Sequence, residues 1–534
     1  MHNIAYRNLE DFQIRLRKLQ EIEDVGVATY PYRFSFEYTA QKLQEEAEGK
    51  AIGHSEDAAS GSTSTVQVAG RLVLFRPMGK NIFAQVQDST GRIQIMCSRD
   101  FTKVVGLKGG EISPIKFLEK KLDLGDIIGI EGNLFRTQKG ELTILVSELT
   151  LLAKSLLPLP DKHSGLADKG VCYKKRWLDL ITNESSKKRF IDRSKILLLI
   201  RKYMDEANFI EVETPILQNT YGGAEAKPFT THLHALHQEM YLRISLEISL
   251  KKLLVGGLPR IYEMGKVFRN EGIDRTHNPE FTMLEAYAAY WDYHDTMAFT
   301  ENLFQKIALE LFGDTQIRVE TEGSSQVIDL KTPWIRLSMK ESIQKYANVD
   351  VDSLSLDALK SYLKKETELD PKEIDSSSKG TLIALLFGEL VEPHLIQPHH
   401  IIDHPIETTP LCKPHRTLKK EGIVERFESF ILGQEMANAY SELNDPELQR
   451  KLLEEQVAKK EAGDDEAHPL DEEFIEAMCQ GMPPSSGVGI GIDRLVMLFT
   501  GAHSIRDVIY FPLMRVEDGL HLQELFPLPS KTIS

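Results

Sequence analysis

The stretch from residue 260 to residue 290 restricts the fold of this chain more than any other. It contains two strand-like segments, "RIYEMGKVFRN" and "PEFTMLEAYAAY", separated by a loop of turn-forming residues. Because alternate residues of a strand share one face, Arg269 in the first segment is in phase with Glu263 and Val267. One face of the second segment would be formed by Phe281, Met283, Glu285 and Tyr287. The pattern predicts an antiparallel hairpin with a charged face.

Charged side chains are unusually dense on this hairpin and its loop. A single cross-strand Arg–Glu pair would be typical of an exposed sheet with surface salt bridges. Here one face combines an aromatic ring, carboxylates, an arginine and a phenol. So many charged groups in one hairpin favour a binding surface for a zwitterionic or phosphorylated ligand over surface salt bridging.

A second pattern, "GVGIGIDRLVMLF" at residues 487–499, predicts a strand followed by a helix. Gly487, Gly489 and Gly491 would project to the same side and leave a flat surface for a planar ring. Asp493 and Arg494 would begin the apolar helix. A dinucleotide-binding turn is not indicated, because the third glycine comes too early for the G-x-G-x-x-G spacing. Chance alternation of glycines is the other interpretation.

A third pattern lies in "FESFILGQEMANAYSELND" at residues 427–445. Asn438, Tyr440 and Glu442 alternate as they would in a strand. The spacing of Glu428 and Glu435 fits one face of a helix or opposite faces of a strand. Carboxylates that do not pair with a nearby Lys or Arg are candidates for binding Mg²⁺ or a cationic substrate. Each of the two could instead be an ordinary surface glutamate.

Length and composition limit the classes of protein that the chain can form. The 534 residues are too many for one compact core, which predicts two or more domains. No apolar run approaches the roughly 18–20 residues that a membrane span needs, so no membrane association is expected. The N-terminus carries charges where a signal peptide is apolar, and the four cysteines form no CxxC pair. A cytoplasmic protein is therefore expected.

Charge is distributed unevenly along the chain. The formal net charge of −16 argues against non-specific coating of nucleic acid. Residues 66–154, however, contain thirteen Lys and Arg against nine Asp and Glu, whereas residues 441–480 contain thirteen acidic against four basic residues. A polyanion would be attracted to the first region and repelled by the second. The acidic segment is predicted to be a solvated helical hairpin.

Short alternating segments between residues 66 and 155 predict a small β-barrel of the OB-fold type. Phe83 and Phe135 could stack on bases, with Arg71 and Glu141 contacting base edges. From composition alone, both phenylalanines fit the barrel core better.

The remaining segments complete the predicted organisation, which is α+β with a separate barrel. A stretch rich in Gly, Ser, Ala and Glu at residues 45–65 is typical of a flexible linker, and residues 189–209 have the apolar spacing of a helix. The predicted order is an N-terminal helix and flexible linker (1–65), an OB-fold barrel (66–155), a connector (156–188) and a larger α+β domain (189–534).

Three segments together resemble the signature motifs of the class II aminoacyl-tRNA synthetases. "FIEVETPIL" is similar to the first motif, "FRNEGIDRTHNPEF" to the second and "GVGIGIDRLVMLF" to the third, and the class I signatures HIGH and KMSKS are absent. The resemblance covers nearly the whole chain and is strongest to the subgroup with an N-terminal OB-fold, which serves lysine, aspartate and asparagine. It implies an antiparallel sheet flanked by helices, and a homodimer formed through the first motif around Pro215.

The resemblance also implies roles for individual residues in joining an amino acid to tRNA. Arg269 would hold the α-phosphate of ATP and Arg494 the γ-phosphate, both as catalytic residues, while Phe281 stacks on adenine. Further nucleotide contacts would come from Glu271, His277, Asn278 and Glu428. Mg²⁺ would be bound by Glu428 and Glu435. The anticodon would be contacted by Arg71, Phe83 and Glu141.

Within the subgroup, the residues that match the amino-acid pocket favour lysine, and hence tRNA-Lys. The resemblance places Gly223, Glu247, Asn438 and Gly491 around the amino-acid backbone, and Glu285, Tyr287 and Glu442 around its ammonium, with Tyr440 in the same pocket. One charge pair at ~4 Å is worth ~4 kcal/mol before desolvation at an effective dielectric constant of ~20. Two carboxylates would therefore attract an ammonium and repel aspartate, whereas the sequence does not exclude arginine or ornithine.

The sequence leaves three other functions to be considered. An asparaginyl or aspartyl synthetase would need a pocket of different charge. A catalytically silent protein that uses this domain for dimerisation or regulation would be expected to lack Arg269, Arg494 or the Mg²⁺ glutamates, and all are present. An enzyme that aminoacylates a protein or a lipid would have no use for the predicted anticodon-binding barrel.

Overall fold

The computed structural model describes residues 5–110, 112–160, 166, 168–321, 324–461 and 467–514. These residues form two compact units that divide at Asp168. Some residues of the predicted segments lie outside the described ones, namely 1–4 of the N-terminal segment, 161–165 and 167 of the connector, 462–466 of the acidic segment and 515–534 of the larger domain. No helix among the described residues is long and apolar enough to cross a membrane.

The first unit is a small barrel with helices on its surface. Its helices are α1 (Glu10–Asp24), α2 (Ala40–Ala47), α3 (Ser55–Ala59) and α4 (Pro114–Lys121). Its strands are β1 (Thr65–Met78), β2 (Asn81–Gln87), β3 (Arg92–Ser98), β4 (Lys103–Val104), β5 (Ile127–Arg136) and β6 (Leu142–Ala153). The strand order is β3-β2-β1-β5-β6-β4, and the pairing of β3 with β6 closes the barrel. The predicted OB-fold barrel is confirmed.

The segment predicted as a flexible linker, residues 45–65, includes two helical pieces. It contains the end of α2 and the whole of α3, whose start is fixed by a hydrogen bond of 2.7 Å from the His54 backbone N–H to Asp57 Oδ2. Ala58 on α3 is fully buried against Met96 and Phe135 on the barrel. The small residues that are typical of a linker here allow a short helix to pack closely.

The second unit is larger and contains both helices and strands. Its helices are α5 (Lys169–Lys174), α6 (Arg176–Thr182), α7 (Glu184–Glu206), α8 (Glu247–Val255), α9 (Tyr293–Phe312), α10 (Met339–Ala347), α11 (Leu356–Glu366), α12 (Pro371–Ser376), α13 (Lys379–Leu390), α14 (Pro446–Glu461), α15 (Glu472–Cys479) and α16 (Ile492–Thr500). Its strands are β7 (Ile210–Glu211), β8 (Leu217–Gln218), β9 (Thr230–Leu233), β10 (Gln238–Leu242), β11 (Arg260–Phe268), β12 (Glu280–Ala289), β13 (Gln316–Thr321), β14 (Ser324–Asp329), β15 (Ile335–Ser338), β16 (His399–Pro405), β17 (Ile423–Ile431), β18 (Gln434–Ser441) and β19 (Ser485–Gly491).

An eight-stranded, mainly antiparallel sheet organises this unit, in the order β15-β16-β17-β18-β19-β12-β11-β7. Pairs β15–β16 and β11–β7 are parallel, and every pair in between, from β16 to β11, is antiparallel. The predicted hairpin is β11 and β12, and the predicted glycine strand and helix are β19 and α16. The α+β fold with an antiparallel sheet flanked by helices is confirmed.

The two faces of the central strands have different chemistry, as the alternation predicted. Leu284, Ala286 and Ala288 of β12 face an apolar core shared with α7, α9 and α16. The alternate residues of β12 face the opposite side, where α8 packs at one end. A carboxylate on β12 therefore stands on a rigid strand whose other face is held by a hydrophobic core.

Helix boundaries follow ordinary capping chemistry. The Asp292 side chain accepts hydrogen bonds from the first turn of α9, and the Asp295 side chain accepts one from the Asp292 backbone N–H at 3.0 Å. Helix α7, predicted at 189–209, begins earlier and buries Ile196, and Ile191 on the same helix is exposed.

Candidate active site

A cavity of about 370 Å³ opens on the charged face of the large sheet. The residues singled out from the sequence for catalysis, nucleotide, metal and amino acid come together around it. Those that line it are Gly223, Glu247, Arg269, Glu271, His277, Asn278, Phe281, Glu285, Tyr287, Glu428, Glu435, Asn438, Tyr440, Gly491 and Arg494. Glu442 differs from these, because it is fully buried in the wall behind Gly487.

Strand register explains how residues distant in sequence meet at this cavity. Glu285 on β12 is paired with Gly489 on β19, which is in turn paired with Asn438 on β18. Asn438 is paired on its other side with Glu428 on β17. Since directly paired residues point to the same face, these four positions form one row across the cavity floor.

The glycines of β19 have two different effects on the cavity. A Cβ atom at Gly487 would overlap both the Tyr287 ring and the Glu442 carboxylate, so glycine here lets those groups approach the strand. At Gly489 and Gly491 a Cβ would meet only ordinary van der Waals contacts, so the backbone there is an open, flat surface. The flat surface predicted from three glycines is thus formed by two of them.

Arg269 stands directly after β11 at the mouth of the cavity and is half-buried. Its Nε donates to the Ile244 carbonyl at 3.3 Å, and the guanidinium lies 5.3 Å from the centre of the Phe281 ring. Burial lowers the pKa of Arg269, and the charges of Glu271, Glu435 and Glu285 oppose that effect. The arginine makes no ion pair at salt-bridge distance with a described residue, so its guanidinium is available to an anion.

Arg494 in the first turn of α16 connects the glycine strand to the charged loop. Its Nη1 donates to the Glu435 carbonyl at 2.9 Å, and its Nη2 lies 3.0 Å from His277 Nε2. His277 Nδ1 lies 2.8 Å from Asp274 Oδ2, and backbone N–H groups of the same turn lower the pKa of Asp274 to about 2 against the effect of burial. The loop after β11 is therefore fastened to α16 through exposed side chains.

Asn278 is the loop residue with the clearest vacant hydrogen-bonding capacity. Its side chain is buried and lines the cavity, and its Nδ2 donates to the Glu280 carbonyl at 2.5 Å. Its Oδ1 has no hydrogen-bond partner among the described residues. A buried acceptor without a partner costs stability unless a ligand supplies a donor.

Glu428 and Glu435 face each other from two strands, rather than sharing one helix face or lying on opposite faces of one strand. The tight turn at Leu432 and Gly433 joins β17 to β18 and brings them together. Glu428 forms an ion pair with Arg426, and Glu435 Oε2 lies 3.6 Å from Arg494 Nη1. Burial and the charge of Glu428 raise the pKa of Glu435.

A third carboxylate stands close to this pair. Burial, followed by the charges of Glu428 and Glu435, raises the pKa of Glu392 to about 7. Such a group of incompletely compensated carboxylates attracts cations. Among the described residues, however, no three His, Cys, Asp or Glu side chains are arranged to hold a metal ion by themselves.

At the inner end of the cavity, Glu285 and Tyr287 form a buried polar pair on β12. The Tyr287 hydroxyl donates to Glu285 Oε2 at 2.9 Å, and the Leu246 backbone N–H donates to Glu285 Oε1 at 2.8 Å. Burial, and then the charge of Glu247, raises the pKa of Glu285 to about 7. The carboxylate is thus fixed in position and lacks a full counter-charge.

Glu247 opens α8 and forms the side of this inner end. Its Oε2 accepts a hydrogen bond of 2.6 Å from the Tyr440 hydroxyl, and its Oε1 lies 2.5 Å from Lys251 Nζ. Gly223 lies close by with a φ of 84°, and a Cβ there would overlap Ser245 Oγ. Glycine is therefore required at 223 both by its backbone conformation and by its close approach to Ser245.

The barrel carries its three predicted residues on β1, on β2 and directly before β6. Phe83 is half-buried, packs against the cluster of Met96, Phe135 and Leu145, and lies beside Arg76, its partner on β1. Arg71 donates from Nη1 to the Gly125 carbonyl at 2.8 Å, and burial lowers its pKa. Glu141 is exposed. Phe135 is buried, which agrees with the packing role that its composition favoured.

A β-bulge explains why Arg76 was missed in the sequence. The register of β1 against β2 shifts between Leu72 and Leu74. Arg71 and Arg76 would lie on opposite faces of a regular strand, because they are five residues apart. The additional residue of the bulge brings both to the outer face.

Several residues of the cavity region carry no signal in the sequence pattern. Arg193 Nη1 donates to Asp493 Oδ1 at 2.6 Å, and the Thr282 backbone N–H donates to Asp493 Oδ2 at 2.7 Å, which fixes α16 against β12. Arg426 and Lys251 pair with cavity glutamates. Arg193 and Asp493 are 300 residues apart in the sequence, so their contact is seen only in the folded structure.

A family model described as tRNA synthetases class II (D, K and N) matches residues 168–515, and one described as an OB-fold nucleic acid binding domain matches residues 66–152. The chain therefore belongs to the class II tRNA synthetase family, as the three motifs indicated, and it is an aminoacyl-tRNA synthetase.

Curated relatives that match nearly the whole chain are named for one amino acid, lysine. The lysine–tRNA ligase of Chlamydia pneumoniae is 59% identical over 518 residues, which are 96% of this chain and 98% of the relative. The lysine–tRNA ligase of Thermoanaerobacter sp. (strain X514) is 46% identical over 510 residues, 95% of this chain and 96% of the relative. The lysine–tRNA ligase of Staphylococcus epidermidis (strain ATCC 12228) is 45% identical over 509 residues, which are 95% of this chain and 98% of the relative.

Proposed function

We propose that this chain is a lysine–tRNA ligase, which activates lysine with ATP and transfers it to the 3′ end of tRNA-Lys. The observation that carries the proposal is the division of one cavity into an arginine-bearing mouth and a buried acidic inner end. The first suits a polyphosphate and the second suits an ammonium. Relatives named lysine–tRNA ligase that match nearly the full length of the chain support it.

Activation requires attack of the lysine carboxylate oxygen on the α-phosphorus of ATP, with pyrophosphate as the leaving group. The nucleophile is already an anion, so the step needs no general base and no covalent enzyme intermediate. Rate enhancement then comes from alignment and from stabilising charge on the α-phosphate. Arg269, which has no ion-pair partner at salt-bridge distance among the described residues, is assigned to the α-phosphate.

The remaining nucleotide contacts follow from the same geometry. Phe281 lies beside Arg269 on β12, the neighbour of the flat strand β19 in the sheet, so adenine would stack on its ring above the glycine backbone. Arg494 is assigned to the γ-phosphate, with His277 as its neighbour in the loop. Glu271 lines the same part of the cavity, and the unpartnered Asn278 Oδ1 would accept a hydrogen bond from the nucleotide.

We assign Mg²⁺ to Glu428 and Glu435. Carboxylate oxygens are its preferred protein ligands, and the raised pKa of Glu435 reflects a site that would be stabilised by additional positive charge. The described carboxylates do not form a complete metal cage, which suits an ion that is normally held by one or two carboxylates together with substrate phosphates. When bound, the ion would neutralise charge on the phosphates.

Selection of lysine is assigned to the inner end of the cavity. Glu285 and Tyr287 would contact the ε-ammonium with Glu442 behind them, while Glu247, Gly223, Asn438 and Gly491 surround the amino-acid backbone and Tyr440 orients Glu247. Aspartate would add a further negative charge to this wall. Asparagine would leave the carboxylates without a cation, and sites that lose such a partner discriminate by about 10⁴–10⁵-fold.

The barrel is assigned to the anticodon. Its region has an excess of four positive charges in a chain whose net charge is −16, which would steer RNA toward it. Phe83 is the outward aromatic platform, and we add Arg76, its cross-strand partner, to Arg71 and Glu141. Base stacking on such a ring contributes about 1–3 kcal/mol.

We also propose a homodimer in the cytoplasm. Exposed apolar side chains cluster in sequence at the predicted first motif and on the preceding helix, where a second copy could cover them. They are Ile191, Leu198, Ile210, Ile216 and Leu217. Pro215, around which the dimer is expected to form, is also exposed.

Exchange of radiolabelled pyrophosphate into ATP tests the proposed activation step without tRNA. The purified protein with Mg²⁺ is expected to support exchange with lysine and not with aspartate or asparagine, followed by charging of tRNA-Lys when tRNA is added. Exchange with aspartate or asparagine would contradict the pocket assignment and leave the family unaffected. No exchange with any amino acid, in folded and dimeric protein, would favour a silent scaffold.

A further inference from the structure

Lys251 lies behind the acidic end of the cavity, on the second turn of α8. Its side chain is fully buried, and it does not line the cavity itself. Its Nζ is 2.5 Å from Glu247 Oε1 and 2.5 Å from Glu442 Oε2. The same ammonium therefore joins a glutamate on a helix to a glutamate that follows β18.

The two glutamates have different places in the proposed lysine site. Glu247 borders the part assigned to the amino-acid backbone, and its second oxygen is held by Tyr440. Glu442 stands behind the part assigned to the ε-ammonium, and among the described residues its ion pair is with Lys251. Lys251 thus connects the groups that would recognise the two ends of the substrate.

We propose that Lys251 is a positioning residue for lysine recognition, which fixes Glu247 and Glu442 in one arrangement and sets the net charge of the wall. This inference rests on the proposed lysine site. Lys251 does not contact the substrate in this assignment and acts only through the two glutamates.

Charge balance supports this assignment. The wall contains three buried carboxylates, Glu247, Glu285 and Glu442. With the ammonium of Lys251 included, their ionised forms leave two negative charges, which equals the number of ammonium groups that lysine brings. Without Lys251 the wall would carry one negative charge more than the substrate neutralises, and a buried charge without a partner is costly.

The charge state of Lys251 is consistent with that role. Burial alone would lower its pKa, but the charges of Glu247 and Glu442 raise it above the ordinary value for lysine. Burial raises the pKa of Glu442 to about 8, and the charge of Lys251 opposes that effect. Lys251 is therefore a permanent cation that favours ionised carboxylates in the empty site.

A purely structural role would have different consequences. Lys251 Nζ also lies 5.4 Å from the Tyr440 ring centre and 6.0 Å from that of Phe474, so its removal would disturb packing. Disturbed packing lowers the unfolding temperature and the fraction of active protein. It does not by itself raise the KM for lysine of the active fraction while the KM for ATP stays the same.

The experiment compares Lys251→Met and Lys251→Arg with Lys252→Met in the full-length protein. Lys252 is the adjacent residue on the same helix, partly exposed, and its Nζ lies 3.3 Å from Glu473 outside the cavity. For each protein the unfolding temperature, the active-site concentration and the KM values for lysine and ATP in pyrophosphate exchange are measured.

We expect Lys251→Met to raise the KM for lysine by about 30-fold or more, because a buried ion pair loses one partner, while the KM for ATP changes by less than about twofold. Lys251→Arg keeps the charge that folding requires, but its larger planar group must displace the carboxylates, so an increase of about 10-fold is expected. Lys252→Met should match the wild type.

An unchanged KM for lysine in folded Lys251→Met would overturn the inference, and if Lys251→Met does not fold, an unchanged KM for lysine in Lys251→Arg would overturn it. The variant Glu285→Gln separates this failure from a failure of the lysine site. If Glu285→Gln raises the KM for lysine and neither Lys251 variant does, only the role of Lys251 is wrong. If none of them changes it, the assignment of the lysine site is wrong as well.

Discussion

The side chains at the two ends of the cavity are held in different ways. At the mouth, Arg494 and His277 are joined by hydrogen bonds between partly or fully exposed side chains, and His277 belongs to a loop. At the inner end, Glu285 and Glu247 are buried on a strand and a helix and fixed by Tyr287 and Tyr440. Exposed pairs are adjustable and weak, whereas buried groups are rigid and costly to leave unpaired.

This difference suits the two substrates. A triphosphate is flexible and strongly charged, which suits adjustable contacts from an exposed loop. Lysine must be distinguished from other amino acids of similar size, which requires fixed groups in a site that excludes water. Variants of the mouth should therefore change catalysis and the KM for ATP, and variants of the inner end should change the KM for lysine.

The largest effect is expected from Arg269→Gln. The substitution removes the positive charge assigned to the α-phosphate where negative charge increases in the transition state. We expect kcat in pyrophosphate exchange to fall by about 10³-fold with little change in the KM for lysine. Lys266→Gln serves as the matched control. Lys266 is on β11, the strand that Arg269 follows, and its Nζ lies 3.7 Å from Glu280 Oε1. Equal losses in the two variants would contradict the role of Arg269.

A smaller effect is expected from His277→Ala. The histidine is exposed and connects Arg494 to Asp274, so its loss loosens the loop without removing a buried charge. We expect the KM for ATP to rise by up to about tenfold, the upper value for the loss of one net hydrogen bond, and the KM for lysine to stay within about twofold. A selective change in the KM for lysine would show that the two ends are not separate.

The direction in which the KM for lysine changes with pH should show whether the inner end of the cavity is acidic. Burial raises the pKa of Glu285 to about 7 and that of Glu442 to about 8 in the empty site, and lysine binding needs ionised carboxylates. The KM for lysine should therefore fall several-fold between about pH 6 and about pH 8.5. Glu285→Gln should flatten this profile. A KM that rises with pH over this range would contradict the acidic pocket.

The same carboxyl groups should influence stability without substrate. A carboxyl group whose pKa is raised by folding stabilises the fold at low pH, and this contribution is lost as the pH rises from the ordinary value of 4.5 through the folded values of about 7 and about 8. The increase in unfolding temperature produced by saturating lysine should accordingly be greater at pH 8 than at pH 6.

The smallest effect is expected from Tyr440→Phe. The change removes one hydrogen bond of 2.6 Å to Glu247 and leaves Lys251 on the other oxygen. The KM for lysine should rise by about five- to tenfold, since a hydrogen bond to a charged group contributes about 1.5–3 kcal/mol at most sites and a second partner remains here. This change in the KM for lysine is measured by steady-state kinetics with lysine as the varied substrate.

The predictable parts of the site are those set by local periodicity. The hairpin of β11 and β12 and the glycine strand β19 follow from alternation within single segments, so their cavity-facing residues could be assigned from the sequence. The three motifs then indicated one family for these segments. The fold class and the residues around the cavity could therefore be predicted from the sequence.

The parts that were not predictable depend on contacts between distant segments. Lys251 is an unremarkable lysine of an apolar helix until Glu442, almost two hundred residues later, is placed against it. Arg76 reaches the outer barrel face only because of the bulge in β1. Glu428 and Glu435 lie on two strands joined by a turn, so a periodicity that assumes one helix or one strand could not place them.

The most direct test compares lysine with norleucine, which has the same side-chain carbons and no ammonium. The kcat/KM of pyrophosphate exchange is measured for both amino acids with the wild type and with Glu285→Gln. The acidic inner end predicts that the preference for lysine over norleucine falls by about 10²-fold in the variant, because the loss is confined to the ammonium. An equal loss for both amino acids, with the preference unchanged, would contradict it.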